Sequence, residues 1–89
     1  MKKENIKLEQ GKIYFLDYGG STQIVGRYKE SNHQAHFFYD LLHYWNGFEI
    51  FQHKGPLNYC CTSGLESIRR ATKPEIHNLI QHEIEMGCI

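Results

Sequence analysis

With 89 residues and ten basic side chains balanced by ten acidic ones, the chain suits one compact domain that buries about 60–65% of its unfolded surface. It presents no global field to attract nucleic acid or anionic lipid. No run approaches a membrane span, and the charged start Met1-Lys2-Lys3-Glu4-Asn5-Ile6-Lys7 lacks the apolar core of a signal peptide, so a cytoplasmic protein is expected.

Residues 1–10 are polar and read as an N-terminal arm or a short leading strand. Residues 11–71 read as an antiparallel β-meander or barrel, and 72–87 as a C-terminal helix of the same single domain. Gly11 to Tyr18 is rich in β-formers, and Gly19-Gly20 permits the positive φ angles of a tight hairpin into a second strand, Ser21 to Glu30. Gly26 interrupts that strand, which predicts a bulge or sharp bend of the sort that lets a small sheet curl. After the turn at Ser31-Asn32-His33, a strand from about Gln34 to Trp45 meets Phe48–His53 through Asn46-Gly47, the strongest hairpin signal in the chain.

A two-residue turn fixes register. Trp45 is expected opposite Phe48, Tyr44 opposite Glu49, His43 opposite Ile50, and Asp40 beside His53. One face then carries Phe37, Tyr39, Leu41, His43, Trp45, Phe48 and Ile50, apolar enough for a core. The other carries His36, Phe38, Asp40, Leu42, Tyr44, Glu49, Phe51 and His53, a mixture expected of a partly covered exterior. Lys54-Gly55-Pro56 breaks the ladder, Leu57–Thr62 forms another strand, and Leu65–Ala71 a last one. The fold class is mainly β (α+β): a small antiparallel SH3-like barrel, or a strongly curved meander of five or six strands, with one C-terminal helix.

The helix is bounded by chemistry. Thr72 sits at the N-cap, Glu75 completes a capping box, Pro74 suits the first turn, and Gly87 offers a left-handed stop. Ile76, Leu79, Ile80, Ile84 and Met86 form the apolar stripe, with Asn78 and His82 on or toward the other side. Glu83 falls inside the stripe. It is expected either to escape at the lip of the packed face or to pair with Arg69 or Arg70.

Six histidines and three cysteines raise zinc as a ligand question, but Cys60 and Cys61 are strand neighbours pointing to opposite faces, and no Cys-x-x-Cys or His-x-x-x-His pair exists. An odd count with Cys88 argues against a disulfide framework. No metal or cofactor is expected. Asp40 beside His53 could orient a general base, yet nothing places a nucleophile such as Cys60, Cys61 or Ser63 near it, so no catalytic residue is assigned. Gly19-Gly20 lacks the further glycines of a phosphate loop.

Two binding readings remain. Phe38, Leu42, Tyr44 and Phe51, if the helix leaves them uncovered, form an apolar patch suited to a protein partner or a homodimer. Lys54, Arg69 and Arg70 beside Tyr44, Phe51 and Tyr59 would instead serve RNA or DNA. The segment Arg69-Arg70-Ala71-Thr72-Lys73-Pro74-Glu75, followed by Leu79, resembles small proteins encoded by phages and mobile elements of Bacteroidetes-type bacteria. Those have a strand-rich aromatic part and an Arg-x-Ala-Thr-x-x-Glu opening to a terminal helix, although Pro74 and the Gly87-Cys88-Ile89 tail depart from their pattern. The resemblance implies a setting in which a non-enzymatic inhibitor binds and occludes a bacterial defence protein, such as a CRISPR nuclease. It assigns no site residue.

Overall fold

The structure is a computed structural model and describes residues 7–53 and 59–87. Six strands, β1 (Ile13–Asp17), β2 (Thr22–Ser31), β3 (Ala35–Trp45), β4 (Phe48–His53), β5 (Tyr59–Cys61) and β6 (Ser67–Arg70), precede one helix, α1 (Lys73–Glu85). Every pairing is antiparallel, in the order β4-β3-β2-β1-β6, and β5 pairs with β3. β4 and β5 share one edge of β3, the first on Asp40–Trp45 and the second on Ala35–Phe37. The sheet does not close, so it is the strongly curved meander rather than the barrel.

Turn chemistry sets these pairings. Asn46 and Gly47 both hold positive φ, 50° and 85°, as a tight hairpin requires, and the expected register follows residue by residue from Trp45↔Phe48 to Asp40↔His53. Gly19 and Gly20 do the same for β1–β2. The irregularity expected at Gly26 lies just beyond it. Register shifts between Arg27 and Tyr28 and again between Tyr28 and Glu30 skip Tyr39 in β3 and Lys29 in β2.

The two faces of the sheet build two separate cores. Tyr14, Leu16, Ile24, Tyr28, Phe38, Leu41, Cys60, Leu65 and Ile68 form one. It unites β5 and β6 from opposite edges of the sheet, which requires the sheet to curl around it, so this is the concave face. Tyr18, just past β1, reaches β5 directly and donates its hydroxyl to the Cys61 carbonyl at 2.5 Å. Within the core, Tyr14, Tyr28 and Phe38 meet edge to face at centroid separations of 6.0 and 6.2 Å. Ile13, Val25 and Leu42 form the second core on the convex face, under Leu79 of α1, with Phe15, Tyr44, Phe51, Ala71 and Ile76 around them.

Strict alternation along β3 therefore fails at one place. The bulge at Tyr39 turns Phe38 to the same side as Leu41, and its ring lies over Gly26, where an added Cβ would stand 2.5 Å from Phe38 Cδ1. The glycine serves a close approach as well as a bend.

The helix is capped as its sequence predicts. Glu75 donates its amide to Thr72 Oγ1 at 3.5 Å, Thr72 donates its amide to Glu75 Oε1 at 2.8 Å, and Gly87 follows the last turn at φ 76°. Its buried face is another matter. Glu75, Asn78, Leu79, His82 and Glu83 face the sheet at three- and four-residue spacing, whereas Ile84 and Met86, expected in the stripe, are exposed. Of the five, only Leu79 is apolar, and Ile76 packs against the convex core beside it. The others dock through directed partners: Glu75 on Arg69, Asn78 on Tyr44, His82 against Phe51 and Glu49, and Glu83 on Arg27. Hydropathy periodicity located the helix and placed Ile76 and Leu79 on its buried side, but the polar contacts turn the docked face away from Ile84 and Met86.

Candidate functional site

The side chains expected to form an outward partner-binding patch lie in the interior or under the helix. Phe38 is buried in the concave core and Leu42 in the convex one. Tyr44 is half-buried and accepts a hydrogen bond from Asn78 Nδ2 at 2.7 Å, and Phe51 stacks on His82 at a centroid separation of 5.5 Å. The helix covers this face. Phe38 and Leu42 therefore present no exposed surface to a partner, and Tyr44 and Phe51 are engaged within the fold.

The basic residues divide similarly. Arg69 holds Glu75 through two bonds of 3.0 and 2.9 Å, and its guanidinium lies 4.0 Å from the centroid of the Phe15 ring. Arg70 is exposed and lies 5.9 Å from the Tyr14 ring centroid. Lys54 lies outside the described residues. Glu83 neither escapes at a lip nor pairs with Arg69 or Arg70. It is fully buried and takes two bonds from Arg27, 3.0 Å to Nε and 2.8 Å to Nη2.

Arg27 belongs to a polar row that the register lays across the sheet, Arg27↔Asp40↔His53, beneath Glu83 of the helix. Asp40 is buried and bonds His53 Nδ1. Burial pushes the Glu83 carboxyl above its ordinary value. The Arg27 bond opposes that rise, and the Asp40 carboxyl adds to it. The bond to Glu83 holds the Arg27 guanidinium charged, against a smaller opposing effect of burial. Each of these groups is bound to another, and together they pin the helix to β2 and β3. Among the described residues no group of three or more His, Cys, Asp or Glu side chains is arranged to hold a metal ion.

Of the face that sequence patterning assigned to the interior, Leu41 is buried in the concave core, but the end at the β3–β4 hairpin is open. On the concave face beyond the core, Trp45, Phe48 and Ile50 are 51%, 66% and 44% exposed. They are contiguous by register: Trp45 opposes Phe48, and Ile50 opposes His43. Next to them the concave face opens into a cleft of about 360 Å³. Tyr18, Thr22, Leu41, His43, Gln52 and Tyr59 are among its walls, with Cys60 and Cys61, and none of the described lining residues is Asp, Glu, Lys or Arg. His43 Nε2 is buried and has no hydrogen-bond partner among the described residues. Burial pushes the Cys60 thiol up to about 12, with the neighbouring Cys61 adding to the rise, so it stays protonated at neutral pH. Burial likewise raises the Tyr18 phenol.

The Asn46-Gly47 turn was the signal that put Trp45, Phe48, Ile50 and His43 on one face. What it did not carry was which face the core and the helix would claim. Comparison with family models, with curated proteins and with solved structures returns no match to this chain.

Proposed function

We propose that this chain is a non-enzymatic interaction module that binds a protein partner through the concave face of its sheet at the β3–β4 hairpin. The observation that supports it is the open strip of Trp45, Phe48 and Ile50, three large apolar side chains adjacent on one face and continuous with an uncharged cleft. Monomeric proteins seldom expose such contiguous apolar surface without a use, and aromatic residues are enriched where proteins meet. The resemblance of the Arg69–Leu79 segment to phage and mobile-element proteins adds a bacterial defence protein as the class of partner.

A nucleic-acid role has less support. Arg27 and Arg69 are engaged by Glu83 and Glu75, and no basic residue lines the cleft among those described. The test compares capture from host lysate, with and without nuclease treatment, by the wild type, by Trp45→Ser with Phe48→Ser, and by Arg70→Glu. Arg70 is chosen because it is exposed and makes no ion pair among the described contacts. The serine pair is expected to lose a protein that the wild type and Arg70→Glu both hold, through a moderate rise in salt. Loss on Arg70→Glu, with steep salt weakening and no effect of the serine pair, would replace this reading with phosphate-driven binding.

A further inference from the structure

The outer edge of β4 has no neighbouring strand among the described residues, and we propose that it pairs with β4 of a second copy of this chain, antiparallel, about a twofold axis through Phe51. The two sheets then run on as one. The pairing uses the edge of the sheet rather than its concave face and does not rest on the binding reading above.

The register decides which backbone groups face outward. Strand residues bond alternately to one neighbour and the other. Asn46 donates its amide to the Ser21 carbonyl at 3.2 Å, so Asn46, Tyr44 and Leu42 serve β2, while Trp45, His43 and Leu41 serve β4. Their partners Phe48, Ile50 and Gln52 turn their amides and carbonyls inward to β3. Glu49, Phe51 and His53 turn theirs outward, at the end of the strand order. Such an edge is a template for another strand unless lysine, proline, a bulge or shortness spoils it. At the other end of the order, β6 has only four residues, and two are Arg69 and Arg70. In contrast, β4 has six residues without lysine, arginine or proline, and its register to β3 runs unbroken.

Its one acidic residue selects the occupant. A twofold axis perpendicular to the sheet keeps each residue on its own face, so it must pass through a residue position. An axis through Glu49 would set two carboxylates against each other. An axis through Ile50 would pair Glu49 with Phe51 and leave His53 facing the Gly47 turn. With the axis through Phe51, every outward group is used: Phe51 pairs with itself, and Glu49 pairs with His53 of the second copy on both sides of the axis. Glu49 Oε1 lies 3.2 Å from His82 Nε2, and Asp40 bonds His53 Nδ1, which leaves Glu49 Oε2 and His53 Nε2 to meet across the axis. Complementary groups at directly facing positions stabilise a strand pair and like charges oppose it. A foreign strand would have to carry that complement, whereas this chain supplies it by symmetry. On the concave face Ile50, 44% exposed, gains Gln52 of the second copy as its neighbour. One strand pair buries less than the roughly 1,200–2,000 Å² of a stable interface, so the dimer is weak, with Kd of about 10–100 µM.

Sedimentation equilibrium of the full chain, from about 5 µM to about 1 mM, is expected to show that dimer. A mixture of isotope-labelled and unlabelled chains should give an intermolecular Overhauser contact between the α-protons of Ile50 and Gln52. Contact of Ile50 with Ile50 would overturn the register. Glu49→Pro removes an outward amide without touching the ladder to β3, and should leave a folded monomer. Glu49→Lys keeps the amide, should weaken the dimer about tenfold, and serves if the proline variant fails to fold. Trp45→Ser lies on β3, away from this edge, and should dimerise as the wild type does. A wild type that stays monomeric, or a dimer undiminished in the Glu49 variants, overturns the proposal. Loss of the dimer in Trp45→Ser also overturns it, in favour of stacked concave faces. A monomeric wild type whose partner is lost in Glu49→Pro would place a foreign strand on the edge instead. Sedimentation reads the edge and capture by Trp45→Ser with Phe48→Ser reads the concave face, so either reading can fail while the other stands.

Discussion

Two positions carry more of the fold than their residue types suggest. At Gly26 the constraint is space, since a methyl group would meet the Phe38 ring at 2.5 Å. Gly26→Ala is expected to lower stability by about 1–3 kcal/mol in urea unfolding, and Phe38→Leu in the same chain should recover part of the loss by removing the ring edge. If Gly26→Ala is neutral, the close approach is not what selects glycine. At Glu83 the constraint is charge. Arg27→Met would strand Glu83 beside Asp40 with no cation and is expected to cost about 3 kcal/mol, whereas Arg27→Met with Glu83→Leu should restore most of it. The raised Glu83 carboxyl carries a definite sign. A folded-state value above the unfolded one gives stability that is full below the ordinary carboxylate range and is lost as pH rises through the folded value. The margin of wild type over Glu83→Gln should therefore be larger in mild acid than in alkali, and a margin that grows with pH would contradict the assignment. Glu83 stood out in the sequence as an anomaly within an apolar stripe. Its partner did not, because Arg27 lies 56 positions away and only the sheet register and the helix crossing bring them together.

At the scale of elements, the strands and the helix were legible because turns and caps are local chemistry. Asn46-Gly47 and Thr72/Glu75 act within a few residues, and β4 and the N-cap fall where the sequence places them. The capping box also makes the helix start sensitive to acid. Burial alone would raise the Glu75 carboxyl, but the Arg69 bond and the Thr72 amide together hold it below its ordinary value. A depressed carboxyl contributes stability above its unfolded value and loses it as pH falls through the folded one. Thr72→Ala should cost about 1 kcal/mol, and the stability lost in Glu75→Gln should be present at neutral pH and vanish in strong acid, in the opposite sense to Glu83. An acid-independent Glu75→Gln effect would mean that the Arg69 pair is idle. The rotation of α1 was legible only in part, at Ile76 and Leu79. Asn78 and His82 count as polar on any hydropathy scale, and only Tyr44 and Phe51 waiting on the sheet make theirs the docking face.

For the whole molecule, one prediction separates folding from function. Trp45 and Phe48 project from the β3–β4 hairpin beyond the concave core, so replacing both with serine should change stability by no more than about 0.5 kcal/mol while abolishing partner capture. A large loss of stability would make the strip structural instead. By itself the sequence determined the order of the described elements, the β3–β4 hairpin register and the helix caps, since each depends on residues close in the chain or facing across a tight turn; Leu57 and Asn58, expected to open β5, lie outside the described residues. It also determined that β3 and β4 carry two faces of different character. Only the tertiary structure decided which of those faces is core: the sheet curls, a bulge at Tyr39 turns Phe38 inward, and the helix is drawn by polar contacts over Leu42, Tyr44 and Phe51. The physical reason is that alternation sorts side chains into two sets without saying which set finds cover, and cover comes from segments distant in sequence. The face that reads as interior is left open at Trp45, Phe48 and Ile50, and the face that reads as exterior lies beneath the helix.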